Sequence, residues 1–145
     1  AKMDGVEPWR VMSKSECLSA DVNSAFDPSF PEVSERKNSS FVNNGVVITK
    51  YTGARGKSGT SDASAEYMGK IRRMLNANDV VWQIGELGKV DAGGGGTVAM
   101  YVANLDIDTI DLGVPVLSMH APMEVVSKLD VYMAYKGFKA YFEHK

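Results

Sequence analysis

The chain has 145 residues, a net charge of −2 and a single cysteine. That length buries one domain core, and pairs such as Arg36-Lys37 and Arg72-Arg73 are too small a basic footprint for nucleic acid. Cys17 alone excludes an intramolecular disulfide, no apolar run is long enough to span a bilayer, and no leader opens the chain; a soluble, cytoplasmic α/β domain is expected.

The first twelve residues read as irregular or weakly helical, with Pro8 as a breaker. Cys17 to Val22 is a short strand that delivers Asp21 at its end. Residues 23–44, with Pro28, Pro31 and several Asn and Ser, read as a long ordered loop. Val46 to Tyr51 is β-branched and aromatic, hence a strand. Gly53 to Gly59 is a flexible basic turn. Ser61 then caps a helix with Ala63, Tyr67, Ile71, Met74 and Leu75 at helical spacing.

Val80 to Ile84 is the next strand, Gly85 to Gly96 a glycine-dominated loop, and Thr97 to about Asn104 a short helix. Thr109 to Leu117 reads as one buried strand. Ser127 with Asp130 resembles a capping box for a final helix that carries Leu129, Met133, Phe138 and Phe142 among its apolar positions. Strands alternating with helices predict βαβ units and a mostly parallel sheet covered by helices on both faces.

Three features point to chemistry. His120 follows an apolar strand in Ser118-Met119-His120-Ala121-Pro122, where open α/β sheets keep their sites; the other histidine, His144, adjoins the terminus. Asp21 also stands at a strand end, among small residues. Zinc accepts both imidazole nitrogen and carboxylate oxygen, whereas a hydrogen-bonded core histidine and a turn-forming aspartate are the plainer alternatives. Finally, Gly93 to Gly96 before Thr97 lets the backbone approach a ligand near a helix start. The Gly-Lys-Ser/Thr of a phosphate loop is missing there, which weakens a nucleotide-binding reading.

Five stretches fall in the order of one known family. They are Ser19-Ala20-Asp21-Val22-Asn23, the run from Tyr51 to Gly59, Glu86 to Asp91 with Gly93 to Thr97, Ser118 to Pro122, and Ser127 to Tyr132. From about Cys17 onward the chain resembles the C-terminal part of the catalytic domain of the aminopeptidase I and aspartyl aminopeptidase family of zinc exopeptidases. The resemblance implies an α/β/α sandwich with two zinc ions bridged by an aspartate and a water. Asp21 would be a ligand of one zinc and His120 of the other. It also implies a peptide substrate and a homo-oligomer, a dodecamer in the complete enzyme. Gly94, Gly95, Gly96, Thr97, Ser118 and Met119 would line the cleft, and Glu124 would fix the imidazole.

The remaining ligands and the general base of that family belong upstream of Asp21. This sequence has no Glu-Glu pair, no histidine before His120 and only Asp4 before Asp21. The expectation is therefore a fragment that lacks the upstream half and the inserted domain, and that neither holds two zincs tightly nor hydrolyses peptides alone. In the complete enzyme, the zincs would lower the pKa of the water and the upstream glutamate would move its proton. An ungapped comparison places Thr49 where acid-specific members carry a lysine, with Lys50 facing the other way, which favours neutral or hydrophobic N-terminal residues. The rival reading is a non-catalytic, truncated module that binds or assembles without chemistry.

Overall fold

Pro8 opens a helix instead of breaking one. In the computed structural model, which describes residues 5–55, 58–89 and 91–143, α1 spans Pro8–Met12 with proline in the first turn, where its missing N–H leaves nothing unpaired. Asp4 and His144, and Gly56, Lys57 and Val90 within the stretches given above, lie outside the described residues. Strand β1 is Glu16–Ser19, so Asp21 stands just beyond it, and β2 is Asn23–Ser24. The expected loop holds two 3-10 turns, Pro31–Val33 and Arg36–Asn38.

Strand β3 is Val46–Thr49, buried throughout, and β4 is Gly53–Ala54. Helix α2 spans Ala65–Ala77 and starts at Ser64, not Ser61, because the Ser64 side chain accepts from the Tyr67 N–H. There follow β5 (Trp82–Ile84), β6 (Gly94–Gly95), α3 (Ala99–Ala103), β7 (Asp108–Gly113), β8 (Pro115–Leu117), β9 (Val125–Val126) and α4 (Lys128–Glu143).

The main sheet has the order β1-β7-β3-β5. The pairs β1–β7 and β3–β5 are parallel, while β3 and β7 run antiparallel. The expected strand over 109–117 divides at Val114. Pro115 has no N–H to give to a ladder, and β8 leaves the first sheet to pair with β2 (parallel) and β9 (antiparallel). The segment alongside makes the same step from β1 to β2. Two parallel pairs thus continue one another across two sheets.

Alternation along the strands gives the main sheet two unlike faces. Val46, Ile48, Ile110 and Leu112 join Tyr67, Ile71, Met74 and Leu75 of α2 and Ala140 of α4 in one apolar core. The other face carries Val47, Thr49, Thr109 and Asp111, all buried, and α3 packs against β7. Helix α4 turns Asp130, Gly137 and Ala140 inward, with Met133, Ala134 and Tyr141 beside them. Leu129 and Phe142 point out, contrary to expectation, because they lie off that stripe.

The capping box is also different from the one expected. Ser127 Oγ accepts from the Leu129 N–H, but the Asp130 carboxylate accepts from the backbone N–H groups of Asn43 and Gly45, both at 2.8 Å. It ties the turn before β3 to the start of α4.

Candidate metal and substrate site

Asp21 is half-buried where β1 gives way to β2. Its Oδ1 accepts from the Val22 N–H at 2.8 Å, and its carbonyl lies against Gly113 of β7. Two residues on, Asn23 is fully buried and holds this junction to the rim of the main sheet. Its amide nitrogen donates to Thr49 Oγ1 at 2.9 Å and to the Gly85 carbonyl at 3.3 Å, and its Oδ1 accepts from Ser40 Oγ at 2.6 Å. A buried amide satisfied on both sides fixes geometry better than an apolar residue of the same size.

His120 is exposed on the turn that follows β8. Ser118 and His120 both adopt left-handed backbone, with φ of 58° and 66°. That conformation costs roughly 1–2 kcal/mol for an ordinary residue and concentrates at functional sites. Glu124 steadies the turn through the main chain, accepting from the His120 backbone N–H at 2.5 Å. The sequence reading had placed that contact on the imidazole.

Asp21 is level with Gly113, and His120 comes three residues after Leu117, so both stand past the carboxyl ends of parallel strands on successive sheets. No group of three or more His, Cys, Asp or Glu able to hold a metal ion occurs among the described residues. The donors present, one carboxylate and one imidazole, are of the kind zinc takes and too few to hold it alone.

The glycine segment lies beside the same polar face. Gly94 and Gly95 pair with β4, and Thr97 Oγ1 donates to Asp111 Oδ2 at 2.9 Å. Gly94, Gly96 and Ser118 are exposed, and Met119 is half-buried. A cleft runs between β4 and the loop, lined by Tyr51, Thr52, Glu86, Leu87 and Lys89. Lys50 is committed elsewhere, to the carboxylate of Asp62.

Asp111 and Asn23 escaped the sequence reading. A carboxylate inside the apolar run from Thr109 to Val116 was the available signal for the first. Burial pushes the Asp111 carboxyl above the usual carboxylate range. The hydroxyls of Ser19 and Thr97 pull it partly back, and the Asp21 charge adds a smaller upward push. Beside it on β1, burial raises the Cys17 thiol, with the Asp111 charge second.

An acid raised in the fold binds more protons there than in the unfolded chain. Its stabilisation is complete below the ordinary carboxylate value and is lost as the pH climbs through the raised one. Asp111→Asn keeps an acceptor for Thr97 and removes the charge. Its stability relative to the parent is expected to improve as the pH rises above the ordinary carboxylate range, read from urea midpoints at each pH.

The sequence profile of the aminopeptidase I zinc metalloprotease family (M18) matches residues 3–142, beginning well upstream of the likeness read from Cys17 onward. The probable M18 family aminopeptidase 1 of Clostridium acetobutylicum is 48% identical over 141 residues, which cover 97% of this chain and 30% of the relative. The crystal structure of aminopeptidase I from that organism superimposes with a TM-score of 0.89 at 48% identity, over 95% of this chain and 30% of the other. The Thermotoga maritima M18 aminopeptidase gives 0.87 at 41% identity, over 91% and 29%. The mApe1 dodecamer of Saccharomyces cerevisiae shares the fold, with a TM-score of 0.75 at 24% identity over 99% and 30%. The chain spans about 30% of the length of the relatives it matches. It belongs to the aminopeptidase I zinc metalloprotease (M18) family.

Proposed function

We propose that this chain is the C-terminal part of the catalytic domain of a di-zinc aminopeptidase that releases neutral or hydrophobic N-terminal residues from peptides in the cytoplasm. The observation that carries this reading is the placement of Asp21 and His120 beyond the carboxyl ends of the parallel pairs β1–β7 and β2–β8. Asp21 would hold one zinc and His120 the other, with further ligands and the general base on an upstream segment. Zinc there would polarise a scissile carbonyl and supply a water of lowered pKa.

The chain's own residues would shape the cleft. Gly94 to Thr97, with Ser118 and Met119, would line it, and Glu124 would hold the turn bearing His120. Substrate preference follows from charge. Thr49 is buried against Asn23, and Lys50 is engaged by Asp62, so neither offers a cation to an acidic side chain. A homo-oligomer, a dodecamer in the complete enzyme, belongs to the same proposal. It is supported by the yeast mApe1 dodecamer and by exposed Tyr132, Tyr135 and Phe142 on α4.

The test mixes the purified chain with the upstream segment of the Clostridium acetobutylicum relative. Zinc-dependent release of p-nitroaniline is followed from leucine and aspartate p-nitroanilides. The chain alone is expected to be silent, and the mixture to cleave the leucine substrate faster. Asp21→Ala or His120→Ala should lower the mixture's rate at least about a hundredfold. A mixture as silent as its parts would reject the enzyme reading and favour the non-catalytic module.

A further inference from the structure

We propose that Asp111 is a positioning residue that anchors the glycine wall of the substrate cleft to the strand pair bearing Asp21. The inference rests on the aminopeptidase reading for its purpose, though not for its geometry. Asp111 is 4% exposed and lies on the polar face of β7. In register it has Ser19 on β1 to one side and Thr49 on β3 to the other. Two residues further along β7 is Gly113, against which the Asp21 carbonyl rests.

One carboxylate oxygen, Oδ2, accepts from Thr97 Oγ1 at 2.9 Å; the other, Oδ1, makes no hydrogen bond of ordinary geometry among the described residues, and the Ser19 hydroxyl only leans towards the carboxylate. A half-satisfied buried carboxylate is a poor stabiliser of a strand, and an apolar side chain would serve packing better. What the carboxylate does achieve is location. Thr97 follows β6 after Gly96 alone and stands two residues before Ala99, which is fully buried, while no side chain caps α3. A charge-assisted bond from Thr97 to the middle of β7 therefore sets where the flexible Gly93 to Gly96 stretch meets the sheet. The same carboxylate neighbours the Asp21 side, so the substrate wall and the metal-ligand side share one fixed point.

Hydrogen exchange on the 145-residue chain tests the anchor. Thr97→Val removes the donor at nearly constant shape, Thr97→Ser keeps it, and Asp111→Leu removes the acceptor. Amides from Gly95 to Met100 are expected to exchange about tenfold faster in Thr97→Val, the size of a charge-assisted hydrogen bond. They should stay near the parent rate in Thr97→Ser, with Val47 and Ile48 of β3 unchanged in both. If Asp111→Leu fails to fold, the two Thr97 variants still decide. Parental exchange in Thr97→Val, or Thr97→Ser as loose as Thr97→Val, would overturn the anchor.

The mixture with the upstream segment then reads its purpose. Thr97→Val is expected to raise KM for leucine p-nitroanilide about tenfold while kcat changes far less, and Thr97→Ser to recover most of that loss. A fall in kcat at parental KM would indicate a structural role only and would overturn the positioning assignment. A parental mixture without activity would defeat the aminopeptidase reading, and the exchange rates would still decide the anchor.

Discussion

Gly113→Ala is expected to destabilise the chain by about 4 kcal/mol or more, among the largest effects a single methyl group can have. A Cβ at Gly113 would lie 1.5 Å from the Asp21 carbonyl oxygen and 2.4 Å from its carbon. No rotamer relieves a clash with backbone. The junction between β1 and β2 must move away, which strains the β1–β7 ladder and displaces Asp21. Since small domains hold only about 5–15 kcal/mol in reserve, urea denaturation followed by circular dichroism should show a midpoint shifted far down or no cooperative transition. Gly137→Ala is the control. The nearest atoms to its Cβ would be side-chain ends, of Leu75, Leu112 and Val80 at 3.3, 3.5 and 3.8 Å, and alanine favours the helix by about 1 kcal/mol. A Gly113→Ala chain as stable as the parent would mean that Asp21 does not rest on β7.

Asp130→Ala should cost about 3 kcal/mol, the second largest effect. Asp130 is 1% exposed, and its two oxygens accept from the Asn43 and Gly45 amides. Removing both acceptors strands two N–H groups in the turn that feeds β3, the central buried strand. Gly45 cannot rearrange freely: φ is +87°, and the position for a Cβ is 2.1 Å from the Val81 carbonyl oxygen. Asp130→Asn keeps one acceptor and should lose about half as much. Guanidinium unfolding gives the energies, and amide exchange at Asn43 and Gly45 locates them. Equal losses in the two variants would show that the contribution comes from charge, not from paired acceptors.

Local pattern makes much of the architecture readable from the sequence. The β-branched run Val46 to Thr49 is a buried strand, and Tyr67, Ile71, Met74 and Leu75 form the inner face of α2. Parallel pairing followed from alternating strands and helices. The misreadings share one cause, which is that each depends on a distant segment. Val114 breaks the strand because Gly113 is pressed against Asp21 and β8 finds new partners in β2 and β9. The antiparallel step between β3 and β7 is equally invisible to propensity. Asp130 looked like a cap because Ser127 precedes it by three, yet its amide partners lie at Asn43 and Gly45.

The candidate site divides in the same way. Asp21, His120 and the glycine loop carry recognisable motifs and stand at strand ends. Asp111 and Asn23 act through partners distant in sequence, Thr97 for the first and Thr49, Ser40 and Gly85 for the second. Their single-residue signals were an ionisable group in an apolar run and an amide after Asp21. Neither names its partner.

The single cysteine, on β1 beside Asp111, reports on the opening of this domain. Burial, with the Asp111 charge second, raises the Cys17 thiol in the folded chain and so slows its reaction with an alkylating reagent relative to a free peptide. When β1 peels away from β7, the half-buried thiol becomes fully exposed and that restraint is lifted. Iodoacetamide labelling therefore quickens as that edge strand detaches more often, with no probe added to the chain.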